Sequence, residues 1–79
     1  MLEEIKNNLI KSVMDSNNNA DRQDMNRNHV NYGSATAYAN ILRSFGVNVD
    51  LPVYEENGFL KIPKILINMK VVIDFEKQS

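Results

Sequence analysis

Residues 64–75 read Lys-Ile-Leu-Ile-Asn-Met-Lys-Val-Val-Ile-Asp-Phe. Ile65, Ile67, Met69, Val71, Ile73 and Phe75 occupy the odd positions, and Lys64, Asn68, Lys70 and Asp74 fall on even ones. Side chains alternate across a β-strand, so a period of two held this long collects six apolar groups on one face. No other stretch of the chain offers so large an apolar surface, and the remaining residues must cover it. A turn at Asn68-Met69 would split the run. Because the parity persists through that point, the pattern predicts one strand over residues 64–76, its inner face being the odd one.

Two helices are available to cover that face. Over residues 2–14, Leu2, Ile5, Leu9 and Val13 form one stripe with Ile10 and Met14 beside it. Glu3 and Glu4 sit in the first turn, where the helix dipole favours negative charge, and Lys11 lies near the end. Over residues 34–45, Ala35, Tyr38, Ala39, Leu42 and Phe45 share a face, Ser34 is placed as an N-cap, and Gly46-Val47 suits a left-handed stop with an apolar contact behind it. Residues 15–33 read as a polar connector. Asp15-Ser-Asn-Asn-Asn19 competes for backbone hydrogen bonds and ends a helix. Asn19 is placed to cap a short helix over residues 20–28.

Three strands follow. Val47, Val49, Leu51 and Val53 alternate with polar neighbours, and Pro52 directs this strand to a sheet edge. Glu55-Glu-Asn-Gly58 supplies a hairpin turn with residues that accept positive φ. Residues 59–62 return, and the long strand comes last. The predicted fold is α+β in one domain of 79 residues: two N-terminal helices, or three if residues 20–28 form one, on a three-stranded antiparallel sheet made by the C-terminal half. Ile67, Val71 and Ile73 are expected to bury against Leu9, Leu42 and Phe45.

A chain this short buries only about 60% of its unfolded surface, so its stability is marginal and a staple is expected. It has no cysteine, which removes disulfides and thiolate zinc sites and suits a reducing cytoplasm. Nine Lys/Arg against ten Asp/Glu give a net charge of −1, with both signs mixed along the chain. That balance matches neither a basic nucleic-acid tail nor an acidic DNA mimic. The first residues are charged where a secretory signal needs its apolar core, and the longest charge-free run, residues 28–42, is too polar to span a membrane. Asparagine is over-used, at 12 of 79 residues. Codon usage in an AT-rich genome accounts for that, and with the small size it suggests a phage or mobile-element accessory or inhibitor protein.

No catalytic constellation stands out. His29 is the only imidazole and lies in a polar stretch, so it reads as a solvated loop residue. The carboxylate pairs Glu3/Glu4, Asp21/Asp24 and Glu55/Glu56 read as surface charge. Asp15, Asn17 and Asn19 alternate like the start of a calcium loop, but Ala20 replaces the motif's glycine and Asn26 its terminal Glu. Gly33, Gly46 and Gly58 form no phosphate loop. No enzyme activity, cofactor or metal is expected.

Two binding readings remain. Helix 34–45, a glycine, then hairpin 47–62 resembles in element order the recognition helix and wing of winged-helix DNA-binding domains. That resemblance implies Thr36, Asn40, Arg43 and Ser44 in the major groove, with Lys61 and Lys64 on phosphates. Charge argues against it, because the helix holds one Arg and the wing tip holds Glu55 and Glu56. The favoured reading is a protein-interaction module. The long strand outlasts the hairpin beside it, leaving an edge to pair with an unidentified protein or with a second copy of the chain. Leu66, Asn68, Lys70 and Val72 on its even face are the expected interface.

Overall fold

The computed structural model describes residues 1–78. Two antiparallel helices, α1 (Leu2–Asp21) and α2 (Met25–Ser44), pack on one another and on a sheet of three antiparallel strands. The strands are β1 (Val49–Asp50), β4 (Lys64–Ile67) and β5 (Lys70–Asp74), with β4 in the centre. A separate two-stranded hairpin is formed by β2 (Tyr54–Glu56) and β3 (Phe59–Lys61), and a 3₁₀ turn, Phe75–Gln78, follows β5. Leu9 and Val13 of α1, Ala35, Ala39 and Leu42 of α2, Val47 and Val49, Ile62, and Ile65 and Ile67 of β4 make up the core. Leu2, Ile5, Ile10, Tyr38 and Phe75 pack around it.

The polar connector expected over residues 15–33 is helical at both ends. α1 runs on to Asp21, and α2 begins at Met25, capped by Asp24, whose carboxylate accepts from the Arg27 N–H. Ser34 is interior to α2, not its cap, and the short helix at 20–28 is replaced by a tight turn with Gln23 at φ 60°. Polar side chains end helices when nothing else binds them; here they find tertiary partners. Ser16, at the helix crossing, donates from Oγ to the Asn28 carbonyl, and the Asn28 amide donates to the Ser16 carbonyl. Asn19 donates to Asn31.

Two asparagines also complete the edge of β3. Asn28 accepts from the Leu60 N–H and donates to the Leu60 carbonyl, both at 2.9 Å. Asn17 does the same for Ile62, at 3.0 and 2.8 Å. In the β2–β3 register Glu56 pairs with Phe59 and Tyr54 with Lys61, so Leu60 and Ile62 direct their backbone groups away from β2. Each primary amide presents a donor beside an acceptor, as a neighbouring strand would. The helix pair therefore closes an edge that would otherwise be open.

The stop of α2 follows the expectation. Gly46 takes φ 82°, its N–H donates to the Arg43 carbonyl, and the Val47 N–H donates to the Leu42 carbonyl. This pair of bonds is the Schellman arrangement. The Asn57-Gly58 turn also forms, with φ values of 55° and 87°.

Strand pairing departs from the expectation in two places. Residues 47–53 do not form one strand against residues 59–62. Val49 and Asp50 pair with Ile67 and Leu66, while Pro52 lies between strands and frees Tyr54 to open a second hairpin. The long strand is also two strands, with Asn68 at φ 50° and Met69 at φ 69° forming the turn between them. Two positive φ values in a two-residue loop match the right-handed twist of the flanking strands.

The persistent odd parity has a different cause from one continuous strand. A two-residue turn pairs Ile67 with Lys70, so an odd residue shares a face with an even one. A bulge then restores the phase: Leu66 pairs with Val71, Ile65 with Ile73, and Val72 is the extra residue. Ile65 and Ile67 are buried as expected, in one core cluster with Leu9 and Leu42. Val71 falls in the short segment between turn and bulge, where the phase is inverted, and is 55% exposed. Phe45, expected in the core, is 59% exposed, because α2 ends at Ser44.

Candidate interaction surface

The outer face of the sheet carries a row Asp50–Leu66–Val71 across β1, β4 and β5. Met69 projects beside it at the tip of the β4–β5 hairpin, 87% exposed. Arg43, Asn48, Val49, Asp50, Leu66 and Met69 line a shallow depression of about 270 Å³. On the opposite face, Lys70 and Val72 join Ile10, Ile67, Glu3 and Lys6 around a groove of about 340 Å³ between β5 and α1.

The four residues expected to share an interface, Leu66, Asn68, Lys70 and Val72, are thus divided. Leu66 is on the outer face, whereas Asn68 in the turn, Lys70 and Val72 border the α1 groove together. The turn inverts the phase between β4 and β5, which is why equal parity does not mean a common face. Asn68 is also committed locally: its N–H donates to the Asn48 carbonyl and its Oδ1 accepts from the Asn48 N–H. Met69 was assigned inward by its odd position. The signal that could have exposed it is the Asn68-Met69 pair itself, read as a turn.

Most groups of the DNA-binding alternative are engaged within the fold. Thr36 Oγ1 donates to the Tyr32 carbonyl, and Ser44 Oγ to the Ile41 carbonyl. Arg43 donates through Nε and Nη2 to the Val49 carbonyl and through Nη1 to Asn40, tying β1 to α2. Lys61 lies within 4.0 Å of both Asp21 and Glu56. Lys64 is exposed on β4, across from Asp74.

His29 Nε2 is 2.8 Å from the Gly58 carbonyl and fastens the β2–β3 turn to α2, so it is not a free loop imidazole. Asp21 and Asp24 lie on either side of the interhelical turn, the first near Lys61 and the second capping α2. Among the described residues, no three His, Asp or Glu side chains converge as metal ligands do. Nor is any helix among them long and apolar enough to cross a membrane. Comparison with protein-family models, curated proteins and solved structures returns no match.

Proposed function

We propose that the protein is a non-catalytic module that binds another protein through the β4–β5 hairpin. One observation carries this: Met69, with φ 69°, places the most exposed large apolar side chain of the described residues in a backbone conformation that side chains disfavour. A residue with a Cβ loses roughly 1–2 kcal/mol in the left-handed region, whereas glycine does not. Glycine is the usual residue at the second position of such a turn. An apolar side chain that is both strained and solvated contributes nothing to the fold, and strain of this kind points outward to a partner. Leu66 and Val71 extend the same apolar surface along the outer face. A small chain presenting such a tip acts by occluding or bridging its partner's surface, as an accessory or inhibitory protein does.

Met69→Gly tests the reading. The variant is expected to gain about 0.5–1 kcal/mol in chemical denaturation, strain relief being partly offset by unfolded-state entropy. It is also expected to lose the proteins that the intact chain captures from its own host's extract. Equal capture by the two chains would refute the hairpin tip as the binding element.

A further inference from the structure

β5 is an edge strand, and among the described residues β4 is its only sheet neighbour. Its ladder alternates. Ile67 and Lys70 close the two-residue turn as a hydrogen-bonded pair, Leu66 and Val71 face each other across the wide position, and Ile65 meets Ile73 as the next bonded pair. Lys64 faces Asp74 across a wide position again, and the Phe75 N–H donates to the Pro63 carbonyl. At a wide position the backbone N–H and C=O point away from the partner strand. On β5 the outward residues are therefore Val71 and Asp74.

In a regular strand, outward residues recur at every second position. Val72, the bulge residue, sets these two three apart. A straight strand laid along this edge meets one of them and misses the other. A second β5, antiparallel about a two-fold axis, carries the same spacing and meets both.

We infer that the protein self-associates as a two-fold dimer through β5, with Val71 of each copy paired to Asp74 of the other. The faces agree in this register. Val71 and Asp74 both lie on the outer face, and Val72 meets the second copy's Ile73 on the α1 side. Charge agrees as well. Antiparallel pairing separates the two Asp74 carboxylates, and likewise the two Lys70 ammonium groups, along the strands, where parallel in-register pairing would set like beside like on one face. The Asp74 carbonyl leads into the 3₁₀ turn and keeps a second lone pair for the Val71 N–H of the other copy. Pairing also covers Val71 and Val72, adjacent apolar residues exposed at the middle of the edge. The two three-stranded sheets become one of six strands. The pairing rests on the hairpin as the binding element but uses its backbone edge, not the Met69 side chain, so the two readings fail separately.

So short an edge is at the small end of protein interfaces, and association in the range of ~1–100 μM is expected. Sedimentation equilibrium of the full chain over that span should show the mass rising to twice that of one chain. The Val71 N–H takes no part in the β4 ladder, so Val71→Pro removes an intermolecular donor and leaves the β4–β5 ladder in place. It should weaken association at least tenfold with the circular dichroism spectrum unchanged.

Cross-linking reads the register independently of that variant's folding. The chain has no cysteine, and bonded antiparallel pairs lie about 5.5 Å apart at Cα, within disulfide range. V71C/D74C should oxidise rapidly to a covalent dimer, and K70C/D74C, one residue out of register, should not. A monomer throughout the span overturns the pairing, as does equal cross-linking of the two double variants. If the chain stays monomeric while Met69→Gly still abolishes capture of other proteins, self-pairing is wrong and the hairpin's role in binding stands.

Discussion

Asn28 is fully buried and serves three backbone groups on two elements: the Ser16 carbonyl on α1, and both the N–H and the carbonyl of Leu60 on β3. Asn28→Ala would leave the Leu60 N–H and carbonyl without partners in a partly buried region and would remove one of the two bonds to the Ser16 carbonyl, which keeps its place in the α1 ladder. A buried polar group stripped of its partner costs about 1–3 kcal/mol, and the emptied volume adds to that. Local relaxation around the β2–β3 hairpin recovers part of the loss, so a total of about 3–5 kcal/mol is expected. That is comparable to the whole stability of many small domains. Asn28→Asp gives the sharper test, because its shape is unchanged. Ionised, the new carboxylate would face the Ser16 and Leu60 carbonyls with no proton to donate. Protonated, its O–H can donate to one of them while the other oxygen still accepts from the Leu60 N–H.

Folding therefore holds this acid neutral, raising its pKa above the unfolded value of about 3.9. In the folded state the raised pKa favours the protonated form, so the variant's stability is greatest below pH ~3.9 and is lost as pH rises through the folded-state value. Urea denaturation followed by circular dichroism between about pH 3 and 7 reads this directly. The loss relative to the parent chain should grow with pH. A penalty for Asn28→Ala below ~1 kcal/mol, or a pH-independent deficit for Asn28→Asp, would refute the role given to this amide.

Two further outcomes follow from packing and backbone geometry. Ile65→Ala, at a fully buried position on β4, should cost roughly 2–5 kcal/mol in the same denaturation assay, while Val71→Ala on the exposed outer face should cost less than ~1 kcal/mol. Gly46→Val should destabilise by more than ~1 kcal/mol through backbone strain alone, since φ is 82° and, among the described residues beyond its chain neighbours, nothing lies within 4 Å of the added Cβ.

Features governed by neighbouring residues were legible in the sequence. The start of α1 at the acidic first turn, the Gly46 stop, the Asn57-Gly58 turn and the apolar stripe through Leu9 and Val13 each depend on a few consecutive residues, and each is found. The α+β class, two helices on a three-stranded antiparallel sheet, was legible for the same reason.

Tertiary structure decided the rest. Asn17, Asn19, Asn28 and Asn31 look alike in sequence to a helix-breaking run. They become helical because Ile62, Leu60, Ser16 and one another satisfy their amides across sequence separations that no local pattern reports. Codon bias needs no such partners, yet these asparagines have them. The long strand shows the complementary limit. A two-residue turn inverts the side-chain phase and a bulge at Val72 inverts it back, so the sequence keeps one parity through two reversals that only the β4–β5 register exposes. Met69 and Val71 lie between those reversals. They are outward because pairing, and not periodicity, sets the face of a strand.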